Sequence, residues 1–189
     1  MAGNPGKLRR RILIVSAVVL GLFGIVAVMS WPSMLVSECH ELTGTDIDLL
    51  ELARFYPASR EGSAGTVYRI PDPSADRLNA NQQSLRKYPM WSALAFDGYK
   101  RVRWQTLQEL KSGPDRLLAE TLFGFDSVPM DASSVRSMNE LRDLATALAV
   151  QESTLIGGWY TDRDGAITNY FVYVLDLRRR LLVKVSLLT

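Results

Sequence analysis

The only cysteine and the only histidine of the chain, Cys39 and His40, are adjacent in the sequence. Nucleophilic catalysis needs a thiol and an imidazole within hydrogen-bonding reach, but adjacent side chains point apart on a strand and diverge by about 100° on a helix. One cysteine and one histidine also cannot supply the four ligands of a structural zinc site. The sequence leaves one other role open for Cys39, a disulfide between two chains in an oxidising compartment.

The segment 160–167, Tyr-Thr-Asp-Arg-Asp-Gly-Ala-Ile, superficially resembles a calcium-binding loop. If Gly165 takes the glycine position of such a loop, Tyr160 occupies the first ligand position and Phe171 the position of the bidentate glutamate. Neither side chain is a calcium ligand of that kind, so the segment predicts a hairpin turn. The chain also has no P-loop, dinucleotide-binding fingerprint or nucleophile elbow, and its carboxylates are scattered. We therefore expect no cofactor and no enzymatic activity.

Two basic clusters are candidates for binding negatively charged groups. Arg178, Arg179 and Arg180 could contact lipid headgroups or a partner, and the alternative is a tight turn of soluble side chains. The segment 99–104, Tyr-Lys-Arg-Val-Arg-Trp, combines cations with aromatic residues, as single-strand nucleic-acid sites do. An edge strand protected by charge explains the same segment better.

Composition and length are those of one globular domain with an appendage. The 189 residues are 47% hydrophobic and 22% charged, with 22 Lys and Arg against 20 Asp and Glu. These values exclude wholesale disorder and low-complexity fibres.

The appendage is an uncharged apolar segment, residues 12–31, which predicts a transmembrane helix. A helix of this length spans about 30 Å, the thickness of the hydrocarbon core of a bilayer. Trp31 lies at the expected interfacial position, and Pro32 follows as a helix stop. A cleaved signal peptide is the alternative, but the apolar run is long for one and Ala27-Val28-Met29 is a poor cleavage site.

The charges that flank this segment predict its orientation. Lys7 and the run Arg9 to Arg11 precede it, whereas Glu38 and Glu41 follow it. The positive-inside rule then predicts a cytoplasmic stub (1–11), a span (12–31), a linker (32–44) and an extracytoplasmic domain (45–189) in the inner membrane. Because the whole chain carries +2, the part after the stub carries about −2, which argues against nucleic acid as a partner.

Small residues on one stripe of the span could bring two helices together. Ala17, Gly21 and Gly24 are spaced i, i+4 and i+7, and small side chains permit close approach of helices in a bilayer. The stripe predicts a homo-oligomer through the span, although small residues are also common in membrane helices generally.

Residues 45–189 predict an α+β domain with an antiparallel sheet flanked by helices. Thr45 can cap a helix whose apolar residues extend from Ile47 to Phe55, and Gly65–Ile70 reads as a strand. Asp97-Gly98 predicts a hairpin that would pair Trp91 with Trp104. The remaining predicted elements are a loop or exposed helix at 73–89, helices at 113–124 and 134–150, and a meander of strands at 153–161, 167–176 and 181–188.

The order helix, strand (Val-Tyr-Arg-Ile), Asp-Gly hairpin, helices and the C-terminal segment 153–177 resembles that of GAF/PAS-type sensory domains. The overall plan, a basic stub, one span and an outer globule, is similar to that of the T-even phage type of holin. This resemblance includes the segment 51–72 just after the span. It implies assembly in the inner membrane and an outer domain that binds an antiholin, and it transfers no site residue.

Three functions are compatible with the sequence. The first is a single-pass inner-membrane protein whose outer domain binds a protein or small ligand and regulates assembly in the membrane. The second is a non-catalytic accessory subunit of a larger membrane complex, and the third, which we favour least, is a membrane-anchored enzyme. The stub of 11 residues cannot fold into a signalling module, so any output must arise in the membrane or through oligomerisation.

Overall fold

The computed structural model describes residues 40–56, 62–88, 90, 98–123, 132 and 135–189. These residues belong to one compact unit, Cys39–Thr189. The predicted span, the stripe Ala17, Gly21 and Gly24, the first strand of the Asp97-Gly98 hairpin and Cys39 lie outside the described residues.

The described part of the domain is an α+β fold with a six-stranded antiparallel sheet, as the sequence predicts. The strand order is β1-β2-β6-β5-β4-β3, so β3 to β6 form a continuous meander to which the hairpin β1-β2 is joined through β2 and β6. The strands are β1 (Leu50–Phe55), β2 (Gly62–Arg69), β3 (Lys100–Gln105), β4 (Thr154–Arg163), β5 (Ala166–Asp176) and β6 (Leu181–Leu188). The helices are α1 (Asp72–Ala80), α2 (Gln82–Lys87), α3 (Leu107–Ser112), α4 (Arg116–Phe123) and α5 (Met138–Ala149).

Helices α3, α4 and α5 cover one face of the sheet, which we call the front face. Their buried leucines, such as Leu110, Leu118 and Leu144, form one apolar cluster with alternate residues of the strands, such as Ile156 and Val172. The periodic apolar stripe of α5 and the period of two in the strands therefore meet in one core.

The opposite, back face of the sheet is buried as well. Trp159 and Tyr173 lie on it with their rings 6.2 Å apart in a T-shaped arrangement, and Leu175 and Leu182 are also buried. The indole Nε1 of Trp104 donates a 2.9 Å hydrogen bond to the carbonyl oxygen of Leu42, which ties the first described residues to this face. The sequence of β5 is apolar at every position from Tyr170 to Leu175, which predicts a strand covered on both sides, and the structure confirms this.

The predicted helix from Thr45 to Phe55 is wrong. Residues 46–49 have no regular structure, and β1 begins at Leu50. A β-bulge between Glu51 and Ala53 adds one residue to the strand, so Leu50 and Ala53 lie on the same face although they are three positions apart. Because of the bulge, apolar residues of this strand are spaced as they would be on a helix, which explains why the sequence predicts a helix here.

Candidate functional site

The predicted basic cluster Arg178, Arg179 and Arg180 is the turn that joins β5 to β6. The backbone N–H of Arg179 donates a 2.9 Å hydrogen bond to Oδ1 of Asp176, whose side chain is buried, and Nε of Arg179 lies 3.8 Å from its Oδ2. Arg180 forms an ion pair with Asp72 at the start of α1. Arg178 is exposed. Two of the three guanidinium groups are therefore engaged in holding the turn, and the cluster carries less uncompensated charge than its sequence indicates.

The cations of β3 lie at the edge of the described sheet. Lys100, Arg101 and Arg103 are exposed, whereas Trp104 is buried. A single-strand nucleic-acid site needs aromatic rings on which bases can stack, and the buried indole cannot provide one. The placement favours the interpretation of β3 as an edge strand protected by charge.

The segment that resembles a calcium loop is a two-residue hairpin turn between β4 and β5. Arg163 pairs with Ala166, and the turn residues Asp164 and Gly165 have φ angles of 52° and 80°. Positive φ at both positions is typical of a type I′ turn. Among the described residues, no group of three or more His, Cys, Asp or Glu side chains could hold a metal ion.

A polar network connects the start of α4 to the sheet. The hydroxyl of Tyr160 donates a 3.2 Å hydrogen bond to Oδ1 of Asp115, while Lys100 forms an ion pair with Asp162 and lies over the Tyr160 ring. Burial, followed by the charge of Asp115, raises the pKa of Tyr160 to about 12. A neutral tyrosine that is held in this way positions a helix; it is not an activated nucleophile or base.

We expect the stabilising effect of the Tyr160 hydroxyl to disappear at high pH. Because the folded pKa of about 12 lies above the unfolded pKa of about 10, the contribution is complete below pH 10 and is lost as the pH rises through 12. The loss is at most about 2–3 kcal/mol. Urea unfolding of the wild type and of Tyr160→Phe between pH 8 and 12 should show a stability difference that shrinks in this window. A difference that stays constant with pH would contradict the assignment.

A groove of about 600 Å³ lies between α3 and the end of α5. It contains the cation of Lys111, the carboxylate of Glu152 and the exposed apolar side chain of Val150. A paired-carboxylate mechanism requires two convergent acids, and this groove contains one. Its wide opening and mixed lining do not select a particular ligand.

The outer edge of β1 has no neighbouring strand among the described residues. Leu50 and Tyr56, at the two ends of this strand, are 56% and 70% exposed. Between them Arg54 forms an ion pair with Glu51 and donates a 2.7 Å hydrogen bond to the hydroxyl of Tyr56. An edge strand presents unpaired backbone N–H and C=O groups, so this edge can accept another strand. Sequence reasoning missed this site because it assigned the segment to a helix.

His40 is the one residue of the Cys39-His40 pair that the structure describes. Its Nδ1 lies 2.9 Å from Oδ1 of Asp46, and both side chains are exposed. The contact closes the short helical segment 40–43 onto the following residues and involves no nucleophile.

Comparison with known protein families, with curated proteins and with solved structures finds no match to the chain. Within the described ranges 40–56, 62–88, 98–123 and 135–189, no helix is long and apolar enough to cross a bilayer.

Proposed function

We propose that the chain is a single-pass inner-membrane protein whose extracytoplasmic domain binds a protein or a small ligand and regulates assembly in the membrane. The uncharged segment 12–31 and the basic residues before it support the anchor and its orientation. The bilayer is then the first partner of the protein, and the N-terminus is cytoplasmic.

The observation that carries the binding role is the outer edge of β1, which no other described strand covers. Its length of six residues, its exposed Leu50 and its pair of opposite charges suit a peptide or protein strand better than a compact small molecule. We therefore favour a protein partner. A holin-like lysis protein is the sharpest form of this proposal, and a PAS/GAF-like sensory domain is the corresponding fold assignment for the outer domain.

An accessory subunit of a larger membrane complex is the second candidate. The same exposed edge supports it, since an adapter would use β1 to hold a neighbouring subunit. Purification from native membranes distinguishes the two functions: an accessory subunit is recovered with several other subunits in fixed ratio, whereas a regulator is recovered with its own copies and with a partner in a ratio that varies.

The turn Arg178–Arg180 is a second candidate contact, with lipid headgroups or with a partner. It lies at the end of the sheet where β1 begins, because Arg69 pairs with both Leu50 and Leu181. Asp48, two residues before β1, is joined at this end to Ser74 of α1 through a 3.0 Å hydrogen bond from its backbone N–H. The chain thus enters the sheet at the end that carries the basic turn.

Cysteine labelling of intact spheroplasts tests the anchor and its orientation. In a Cys39→Ser background, we expect Tyr56→Cys, whose native side chain is 70% exposed, to react with a membrane-impermeant maleimide. The matched Ala2→Cys variant in the stub should react only after permeabilisation, and both variants should resist alkaline extraction from the membrane. Labelling in the reverse order, or release by alkali, would overturn the proposal.

A further inference from the structure

The side chains of β1 are complementary to those of an antiparallel copy of the same strand. Because of the bulge at Leu52, Glu51 and Arg54 both lie on the back face, where they pair with Tyr68 and Thr66 of β2. Leu50, Ala53 and Phe55 lie on the front face. When the bulged residue Leu52 is left out, the side chains of the strand are in order apolar, acidic, small, basic and apolar.

We propose that the partner of this edge is a second copy of the same chain, paired antiparallel through β1. With Ala53 opposite its own copy, Glu51 faces Arg54 of the second chain, and Leu50 faces Phe55. Each pair occurs twice, so the contact contains two ion pairs, two apolar pairs and a small central pair that permits close approach. Pairing would cover the apolar side chain of Leu50, which is 56% exposed in the single chain.

The charges of β1 favour this partner over an unrelated strand. Edge strands often avoid pairing through lysine or proline, and β1 contains neither. A β-bulge is another feature that discourages edge strands from pairing. In β1, however, the bulge places Glu51 and Arg54 on one face, so that antiparallel pairing of two copies brings opposite charges together. The Glu51–Arg54 ion pair within each chain would then become part of a four-charge network across the axis.

The symmetry of the contact agrees with the proposed anchor. The two-fold axis of an antiparallel strand pair is perpendicular to the sheet, so the back faces of both copies point to the same side. Residue 42 is bonded to Trp104 on the back face, and both chains would therefore enter the dimer from one side. This inference rests on the proposed function, because a contact of six residues is small and needs the high effective concentration that a shared membrane provides.

Energy transfer between donor- and acceptor-tagged full chains in lipid vesicles tests the contact, with the fluorescent proteins at the N-terminus. Glu51→Arg alone sets arginine against arginine in both ion pairs, and Arg54→Glu sets glutamate against glutamate. We expect each variant alone to associate about tenfold more weakly than the wild type. A mixture of the Glu51→Arg donor with the Arg54→Glu acceptor should recover association, because both cross-chain pairs are again of opposite sign.

The mixture separates pairing from folding. Each variant chain still lacks its internal ion pair, so a folding defect cannot be rescued by mixing. Reversing the Arg116–Glu120 pair on α4, an exposed ion pair outside β1, serves as the control and should leave association unchanged. The proposal is overturned if the single variants associate as the wild type does or if the mixture shows no recovery. If Gly21→Leu abolishes association while the β1 variants do not affect it, the contact lies in the span, and the proposed anchored function survives without the β1 dimer.

Discussion

Gly158→Ala is expected to destabilise the domain by about 3 kcal/mol or more. Gly158 lies in β4 between Val102 of β3 and Val172 of β5, and its φ angle is 152°. A Cβ atom at this position would clash with the carbonyl oxygen of Phe171, which is backbone and cannot rotate away. The substitution therefore forces the β4-β5 ladder apart in the middle of the sheet.

Gly165→Ala is the matched control for this prediction. Gly165 also has a positive φ angle, 80°, but a Cβ atom there would meet no atom within 4 Å. Its cost is thus limited to the backbone conformation, about 1–2 kcal/mol. Thermal unfolding of the full chain in detergent, followed by near-ultraviolet circular dichroism, should rank Gly158→Ala clearly below Gly165→Ala. Equal midpoints would show that the close approach at Gly158 does not exist.

The elements that the sequence predicts well are those whose pattern has one explanation. β5 is apolar at every position from Tyr170 to Leu175, and this pattern fits a central strand buried on both faces. Asp164-Gly165 matches the conformational demand of a two-residue hairpin turn. Both predictions are confirmed because each depends on local residues and not on the rest of the fold.

Helix α3 could have been predicted but was not. Thr106 and Glu109 form a capping box, in which the Thr106 side chain accepts a hydrogen bond from the Glu109 N–H while the Glu109 carboxylate accepts one from the Thr106 N–H. The bond from Thr106 is the main cause that lowers the pKa of Glu109. The spacing Thr-x-x-Glu is visible in the sequence, so the missed helix reflects an overlooked signal.

The candidate site at β1 was not predictable in the same way. A bulge depends on the pairing of β1 with β2, and no residue type within Leu50–Phe55 requires it. Without the bulge, Glu51 and Arg54 would lie on opposite faces, and the two-fold arrangement of charges would not exist. The charge of the Arg178–Arg180 cluster could not be predicted fully either, because Asp72, the partner of Arg180, is distant in the sequence and is brought to it only by the fold.

The candidate contact sites lie in two different parts of the chain. The groove at α3 and α5 and the β1 edge are surfaces of the described domain, whereas the stripe of Ala17, Gly21 and Gly24 belongs to the predicted span. An oligomer held at both places would couple the state of the outer domain to contacts in the membrane. Such coupling needs no cytoplasmic module.

Trp104→Ala is expected to cost about 3–5 kcal/mol of unfolding free energy, since it removes a large buried side chain. The Trp104 ring fills the space above Gly157, where a Cβ atom would lie 3.0 Å from it. Its Nε1 also holds the carbonyl of Leu42, so the substitution should release the segment through which the chain enters the domain.

Trp104→Phe separates these two contributions. Phenylalanine keeps much of the packing against Gly157 but leaves the Leu42 carbonyl without its donor, at a cost of about 1–3 kcal/mol. Urea unfolding in detergent measures both variants, with Tyr56→Ala, at a position that is 70% exposed, as a control expected to change stability by less than about 0.5 kcal/mol. Hydrogen exchange at residues 40–49 should increase in Trp104→Phe relative to the rest of the sheet. If exchange there is unchanged, the Trp104–Leu42 bond does not hold the entry segment, and two copies paired through β1 are not constrained to enter the dimer from one side.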